Sequence, residues 1–294
     1  MEIRQLEYLI AVAEEGNFSR AAERVHVAQP SLSQQIKKLE DELGVVLFDR
    51  LPRRVVTTEA GARLVERARR ILSEMADARR EVGETRGEVT GTLAVGAIPT
   101  IAPFLLPDLL VRFRKRWPDV QLTVVEDVTD RLCDAVVNGR LDLALTSTIH
   151  DARSLHAERV AVEPLLALVP ANTPVAKRKT MTWAALDREQ VLVLHDDHCL
   201  SGQVTRYCKK GGSNPNVVAH GAQLGTVAAM VSAGLGVSVV PDMMRAGDRA
   251  KSRVYIPFGR GRPEREICIL WSLLRFRTNA ARAFGTLVRE RFSL

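Results

Sequence analysis

Residues 18–36 read Phe18-Ser19-Arg20-Ala21-Ala22-Glu23-Arg24-Val25-His26-Val27-Ala28-Gln29-Pro30-Ser31-Leu32-Ser33-Gln34-Gln35-Ile36. Asn17 just before this stretch is a capping residue type, and 19–25 makes a short helix whose Ala21 and Ala22 allow close packing. His26-Val27-Ala28 is the turn. Pro30 suits the first turn of a helix, where its missing N–H costs nothing. That helix is expected over 30–43, with Gly44 ending it. Leu32, Ile36, Leu39 and Leu43 recur at spacings of 4, 3 and 4 and form one apolar stripe. The opposite face carries Ser31, Ser33, Gln34, Lys37 and Lys38. Upstream, Leu6, Tyr8, Leu9, Val12 and Ala13 predict a helix over 4–15, stopped by Gly16. A helix, a short helix, a tight turn and a helix with a donor-rich open face make a helix-turn-helix layout. Residues 52–57, with Arg53 and Arg54, read as a wing beside the third helix. By spacing alone, three packed helices with an ordinary solvated face fit equally well.

Working outward, Thr57 or Thr58 caps a further helix. In it Leu64, Ala68, Ile71, Met75, Ala78 and Val82 follow a heptad seam. Charged residues fill most other positions, so the narrow stripe predicts a partner helix better than a globular core. Glycines 83, 87 and 91 mark a linker. From residue 90 short Val/Ile/Leu runs (92–97, 121–126, 141–146, 190–194, 216–220, 237–240, 266–272) alternate with helical stretches (102–117, 129–137, 224–233, 279–291). This alternation predicts α/β units with parallel strands. Changes of character near 160 and 265 predict two subdomains with a cleft between them. The expected division is 1–58, 59–88 and 89–294, the last splitting into 89–162 with 266–294 and 163–265.

The chain has 294 residues, 46% hydrophobic and 26% charged, the profile of a globular protein with a substantial core. No apolar run approaches a membrane span, and the start lacks a signal-peptide layout, so the expectation is a cytoplasmic protein without membrane contact. Its four cysteines are then read as thiols. The net charge of +7 points to a polyanionic partner. Its distribution does not support that argument: residues 1–88 hold 15 Lys/Arg against 16 Asp/Glu, and residues 89–294 hold 27 against 19. Any nucleic-acid affinity must come from local placement.

Arg4-Gln5-Leu6, Phe18 to Ala22, Val27 to Ile36, Leu39-Glu40, Leu43-Gly44, Leu47-Phe48-Asp49-Arg50 and Thr57-Thr58-Glu59-Ala60-Gly61 resemble the LysR-type transcriptional regulators. Gly234-Leu235-Gly236-Val237-Ser238-Val239-Val240-Pro241 resembles the effector-domain signature of that family. The resemblance spans essentially the whole chain. It implies a winged helix-turn-helix, a dimerising linker helix and a two-subdomain effector module like a periplasmic binding protein. It also implies double-stranded DNA as partner, a dimer of dimers (a homotetramer) and contact with RNA polymerase. Gln29, Pro30, Ser31, Ser33 and Gln34 then begin the recognition helix, where Gln and Ser reach base edges. Lys37, Lys38, Arg53 and Arg54 are placed for phosphates.

Of the cysteines, Cys133 falls in the helix 129–137 and Cys268 in an apolar strand, both read as inert core residues. Asp196-Asp197-His198-Cys199-Leu200 reads as a polar loop after the strand 190–194. Cys208 sits among Arg206, Lys209 and Lys210, whose charge is expected to lower a thiol pKa. Attack on peroxide needs a thiolate, and the sulfenic acid it forms condenses with a second thiol. Composition leaves two buried structural thiols as an open alternative. His195, His198 and Cys199 lack a fourth ligand at suitable spacing, so no metal or cofactor is expected.

His198-Cys199-Leu200 with Gln203 and Cys208, Ala97-Ile98-Pro99-Thr100 with Pro103 and Leu105-Leu106-Pro107, and Arg265-Glu266-Ile267 are similar to peroxide-sensing members of the same family. Residues 214–220 and Lys209-Lys210 depart from that pattern. The resemblance implies Cys199 as the attacking thiol, Cys208 as the resolving one and a reversible Cys199–Cys208 disulfide. Thr100 and Thr129 would hold peroxide, and His198 and Arg265 would favour the thiolate. A helix between the cysteines would have to melt or bend. Glutaredoxin or thioredoxin would reverse the step, and the regulated genes would answer oxidative stress. Two rivals stand beside this non-enzymatic regulator: a LysR-type regulator binding a metabolite in its cleft, and a thiol peroxidase.

Overall fold

The computed structural model describes residues 1–51, 54–84, 87–147, 154–259 and 261–292. It divides into two compact units, residues 1–85 with 138–140, and residues 86–137 with 141–294.

The first unit starts with α1 (Ile3–Glu15), α2 (Phe18–Arg24) and α3 (Gln29–Leu43). Local chemistry sets these boundaries. Gly16 and Gly44 close α1 and α3 in the left-handed conformation at φ 57° and 67°, which glycine adopts without a Cβ penalty. The Asn17 side chain accepts from the backbone N–H groups of Ser19 and Arg20, capping α2. Leu6, Leu9, Val12, Ala21, Ala22, Leu32, Ile36 and Leu39 are buried together. The strands β1 (Phe48–Leu51) and β2 (Arg54–Thr57) form an antiparallel pair, and Thr58 caps the long helix α4 (Glu59–Gly83). The seam residues of α4 divide in two. Ala68 is buried and Leu64 packs on the core of the same unit, so those two serve their own chain. Further along, Ile71 is exposed and Val82 is 90% exposed.

The second unit runs β3 (Gly91–Ala97), α5 (Ala102–Arg116), β4 (Val120–Glu126), α6 (Thr129–Val137), β5 (Leu143–Thr146), β6 (Leu155–Pro170), α7 (Trp183–Leu186), β7 (Gln190–Leu194), α8 (Cys199–Lys210), β8 (Asn216–Gly221), α9 (Leu224–Ser232), β9 (Ser238–Pro241), α10 (Met243–Gly247), β10 (Arg253–Pro257), β11 (Glu264–Ser272) and α11 (Asn279–Phe292). One sheet has the order β10-β6-β11-β5-β3-β4, with β9 also on β6. The expectation of parallel strands is only partly met. β3 runs parallel to β4 and β5, and β7 to β8, whereas β6 is antiparallel to β9, β10 and β11, and β11 to β5. The reason is β6, a 16-residue strand that hydropathy does not reveal, because its first half is mostly open to solvent. Its first half pairs with β11 and its second with β9 and β10, so β6 runs from one hydrophobic core into the other. One core gathers Leu93, Leu109, Leu143, Ile269 and Phe284. The other gathers Leu168, Leu192, Val204, Val227 and Val240.

Candidate functional site

In the first unit α3 presents its open face as the sequence predicts. Gln29, Pro30, Ser31, Gln34, Lys37 and Lys38 are exposed, while Leu32 and Ile36 hold the helix down. Ser33 is half-buried and accepts a hydrogen bond from Arg50 at 3.3 Å. Arg50 also lies 4.7 Å over the Phe18 ring and 3.8 Å from Glu40. It thereby braces α3, a role that spacing alone did not point to. Arg54 is exposed on β2; Arg53 lies outside the described residues.

In the second unit the thiol region is built on α8. His198 is its N-cap and is buried, with Nε2 3.8 Å from Asp197 Oδ1. Cys199, read above as lying in a loop, is the first residue of the helix itself and is half-buried against the first core. An anion formed on its sulfur would lie at the positive end of the α8 dipole. Cys199, His198 and Thr129 line one depression of about 270 Å³ with Asp130, Asp196, Asp197, Gly202 and Arg206. The Thr129 hydroxyl is buried and has no hydrogen-bond partner among the described residues.

Thr100 and Arg265 form a pair of their own. Both are buried and joined to each other: Arg265 Nη1 donates to the Thr100 hydroxyl at 2.8 Å and Nη2 to its carbonyl at 3.0 Å. Arg265 Nε also donates to Glu163 at 2.6 Å, and Nη2 lies 2.5 Å from the same carboxylate. A buried guanidinium needs such a partner. Among the described residues no hydrogen bond joins Arg265 to Cys199. Its bonds instead join Thr100 to Glu163 of β6.

Cys208 is 2% exposed, inside the second core at the far end of α8. Burial, with the nearby charge of Asp187, pushes its thiol up to about 11. The idea that Arg206, Lys209 and Lys210 acidify this cysteine therefore fails, and all three side chains are exposed. Both cysteines are free thiols on one continuous helix. Nine residues at 1.5 Å rise separate their Cα atoms by about 13 Å. A disulfide needs about 7 Å or less. Cys268 is buried in the sheet and Cys133 packs against the first core, and burial raises both thiols to about 11.

Residues 3–62 match the bacterial regulatory helix-turn-helix protein, lysR family, and residues 86–293 match the LysR substrate binding domain. The chain belongs to the LysR family. Among relatives of this LysR-family protein, the DNA-binding transcriptional dual regulator OxyR of Escherichia coli is 35% identical over 92% of this chain and 89% of that one. The hydrogen peroxide-inducible genes activator of Dickeya chrysanthemi has the same identity over the same shares. A full-length OxyR of Pseudomonas aeruginosa with a cysteine-to-aspartate substitution superposes with a TM-score of 0.81, at 30% identity over 98% of both chains. Against this family background, sequence reasoning missed Glu163, Met243 and Ser147. Glu163 holds Arg265, Met243 sits 3.5 Å from it through sulfur, and Ser147 receives Gln203 of α8. None carries a local signal, because each acts on a residue far away in sequence.

Proposed function

We propose that this LysR-family regulator senses hydrogen peroxide through Cys199 and controls oxidative-stress genes. The observation that carries the reading is Cys199 at the N-terminus of α8, sharing a depression with His198 and the unpartnered Thr129 hydroxyl, with the second thiol on the same helix. Sulfur of Cys199 attacks one peroxide oxygen, the O–O bond breaks, and the departing oxygen leaves as water. Sulfur of Cys208 then displaces the sulfenic oxygen as a second water, giving a disulfide. Thr129 and Thr100 would hold the peroxide oxygens and His198 would supply a proton. Closure requires α8 to unwind, because about 13 Å must shrink to about 7 Å. That turns a local bond into a change of shape.

Residues 1–58 are the DNA-reading head, 59–88 the helix that pairs copies, and 89–294 the sensor. Gln29, Ser31, Ser33 and Gln34 face bases, while Lys37, Lys38, Arg53 and Arg54 face phosphates. Copies pair along Ile71, Met75, Ala78 and Val82, and two such dimers make the tetramer that meets RNA polymerase. A glutaredoxin or thioredoxin restores the thiols, and the protein works in the cytoplasm as a regulator without turnover.

The test treats purified protein with stoichiometric peroxide, maps disulfides and compares DNA footprints. A Cys199–Cys208 bond with a shifted footprint is expected, and a shift that survives Cys199→Ser sinks the reading. A second reading, a cleft-bound anionic metabolite, draws on a space of about 480 Å³ whose lining includes Arg206, Lys210 and Arg265 beside Glu264 and Glu266. Thermal stabilisation by a metabolite with no peroxide response would favour it.

A further inference from the structure

Between its two cysteines α8 is fastened to the rest of the unit at two points on one face. Gln203, one turn after Cys199, is buried, and its Nε2 donates to the Ser147 carbonyl at 2.6 Å and the Ser147 hydroxyl at 3.2 Å. Ser147 directly follows β5, a strand of the first core. Tyr207, one turn further along the same face, is joined twice to Glu264 at the start of β11. Its hydroxyl donates to the Glu264 carbonyl at 2.9 Å and accepts from the Glu264 N–H at 3.1 Å. The Tyr207 ring is stacked on Trp183, centroids 6.2 Å apart. The adjoining side of α8, through Leu200, Val204 and Cys208, lies in the second core, against which the Tyr207 ring also packs. By burial the helix belongs mostly to the second core, with Cys199 against the first; by hydrogen bonds it is tied to Ser147 after β5 and to the start of β11.

Positions 203 and 207 both lie within the loop that a Cys199–Cys208 bond would close. Bringing the cysteines together consumes about half of their present separation, and a helix cannot shorten without giving up its geometry. Residues spaced by one turn then lose their common face. We propose that Gln203 and Tyr207 are positioning residues, a two-point latch that keeps α8 helical in the dithiol form and sets how readily the disulfide closes. This rests on the peroxide-sensing reading above. The latch touches only the second chemical step, in which Cys208 sulfur displaces the sulfenic oxygen of Cys199 as water. Attack of Cys199 on peroxide occurs at the fixed end of the helix and is independent of it. Each bond lost from the dithiol form shifts the equilibrium toward the disulfide, so the latch makes the protein harder to oxidise and easier to reduce.

Tyr207→Phe in the full-length protein isolates the latch. It removes both bonds to Glu264, keeps the ring on Trp183, and changes helix propensity little, because Tyr and Phe rank together. Gln203→Met, similar in length and without hydrogen-bonding groups, is the independent second variant. The dithiol–disulfide equilibrium is measured against a glutathione redox buffer, and the two steps are separated by rapid-quench trapping of free thiol, sulfenic acid and disulfide. For Tyr207→Phe the expected shift is about tenfold toward the disulfide, a potential about 30 mV more negative. Disulfide closure should be severalfold faster, with an unchanged rate of Cys199 loss at equal peroxide. Gln203→Met should move the potential in the same direction. Parental potentials and closure rates in both variants, or a shift toward the dithiol, would overturn the latch while leaving peroxide sensing intact. Failure of the parent itself to form the Cys199–Cys208 bond would remove sensing and latch together.

Discussion

Cys199 and Cys208 are the same residue type in opposite surroundings. Cys199 is half-buried at a helix start beside a depression; Cys208 is enclosed in the second core with its thiol raised to about 11. Reactivity follows the thiolate and its access. In a Cys199→Ser protein, Cys208 should therefore resist iodoacetamide at pH 7.5 on a time scale that fully labels the unfolded chain. Mass spectrometry reads the result, and rapid labelling of the native fold would contradict it. At another residue, Gly236 has φ 156°, and a Cβ there would lie 2.4 Å from the Gln190 carbonyl oxygen. Gly236→Ala should cost about 2 kcal/mol or more, read as a lower urea midpoint with an unchanged slope.

At the scale of elements, β10 is tied to α9 and α10 by one charged cluster. Arg253 Nε donates to Asp248 at 2.6 Å, its Nη1 reaches the Ala228 carbonyl and Ser232, and Tyr255 donates its hydroxyl to Asp248 at 2.5 Å. The bond from Arg253 chiefly, with that from Tyr255, holds the Asp248 carboxyl at about 2 despite burial. An aspartate ordinarily titrates near 4. A carboxyl lowered by folding stabilises the native state above its unfolded pKa, and that contribution fades as pH falls from about 4 toward 2. Asp248→Asn should thus lose about 2 kcal/mol at pH 7 and little near pH 2, measured by urea unfolding across that range. On α3, Lys37→Ala should lower operator affinity evenly across sequences and reduce the salt slope by about 1. Gln34→Ala should instead relax discrimination at one base by about 1–3 kcal/mol. Binding isotherms at several salt concentrations, on matched and mismatched duplexes, separate the two.

At the scale of the whole molecule, the charge pattern and the exposed α4 seam bear on how DNA and a second copy would be met. The head and α4 segment holds 15 Lys/Arg against 16 Asp/Glu, so net charge does not supply DNA affinity and a few placed cations would have to. On α4, Ile71 and Val82, two apolar seam positions after Ala68, remain exposed within one chain. Ile71→Glu with Val82→Glu should yield a monomer by sedimentation while leaving the fold of the head intact, because neither side chain is in its core. A dimer of unchanged strength would show that the seam is not where copies meet.

Much of this was legible residue by residue in the sequence. Asn17, Gly16 and Gly44 bound their helices through backbone geometry within four residues, and Leu32, Ile36 and Leu39 follow a period that any local window contains. Such short-range chemistry determined the helix-turn-helix head, the α4 helix and the exposed recognition face. The sensor half yielded less. β6 alternates weakly because its two halves serve different cores, and its antiparallel pairing with β11 joins residues about a hundred positions apart. Arg265 looks locally like any strand arginine; only folding brings Glu163 and Thr100 against it. Only the tertiary structure likewise decided that Cys208 is enclosed while Cys199 is not, and that Gln203 and Tyr207 fasten the helix between them. Burial and long-range hydrogen bonds depend on which surfaces meet in space, and local spacing carries no record of that.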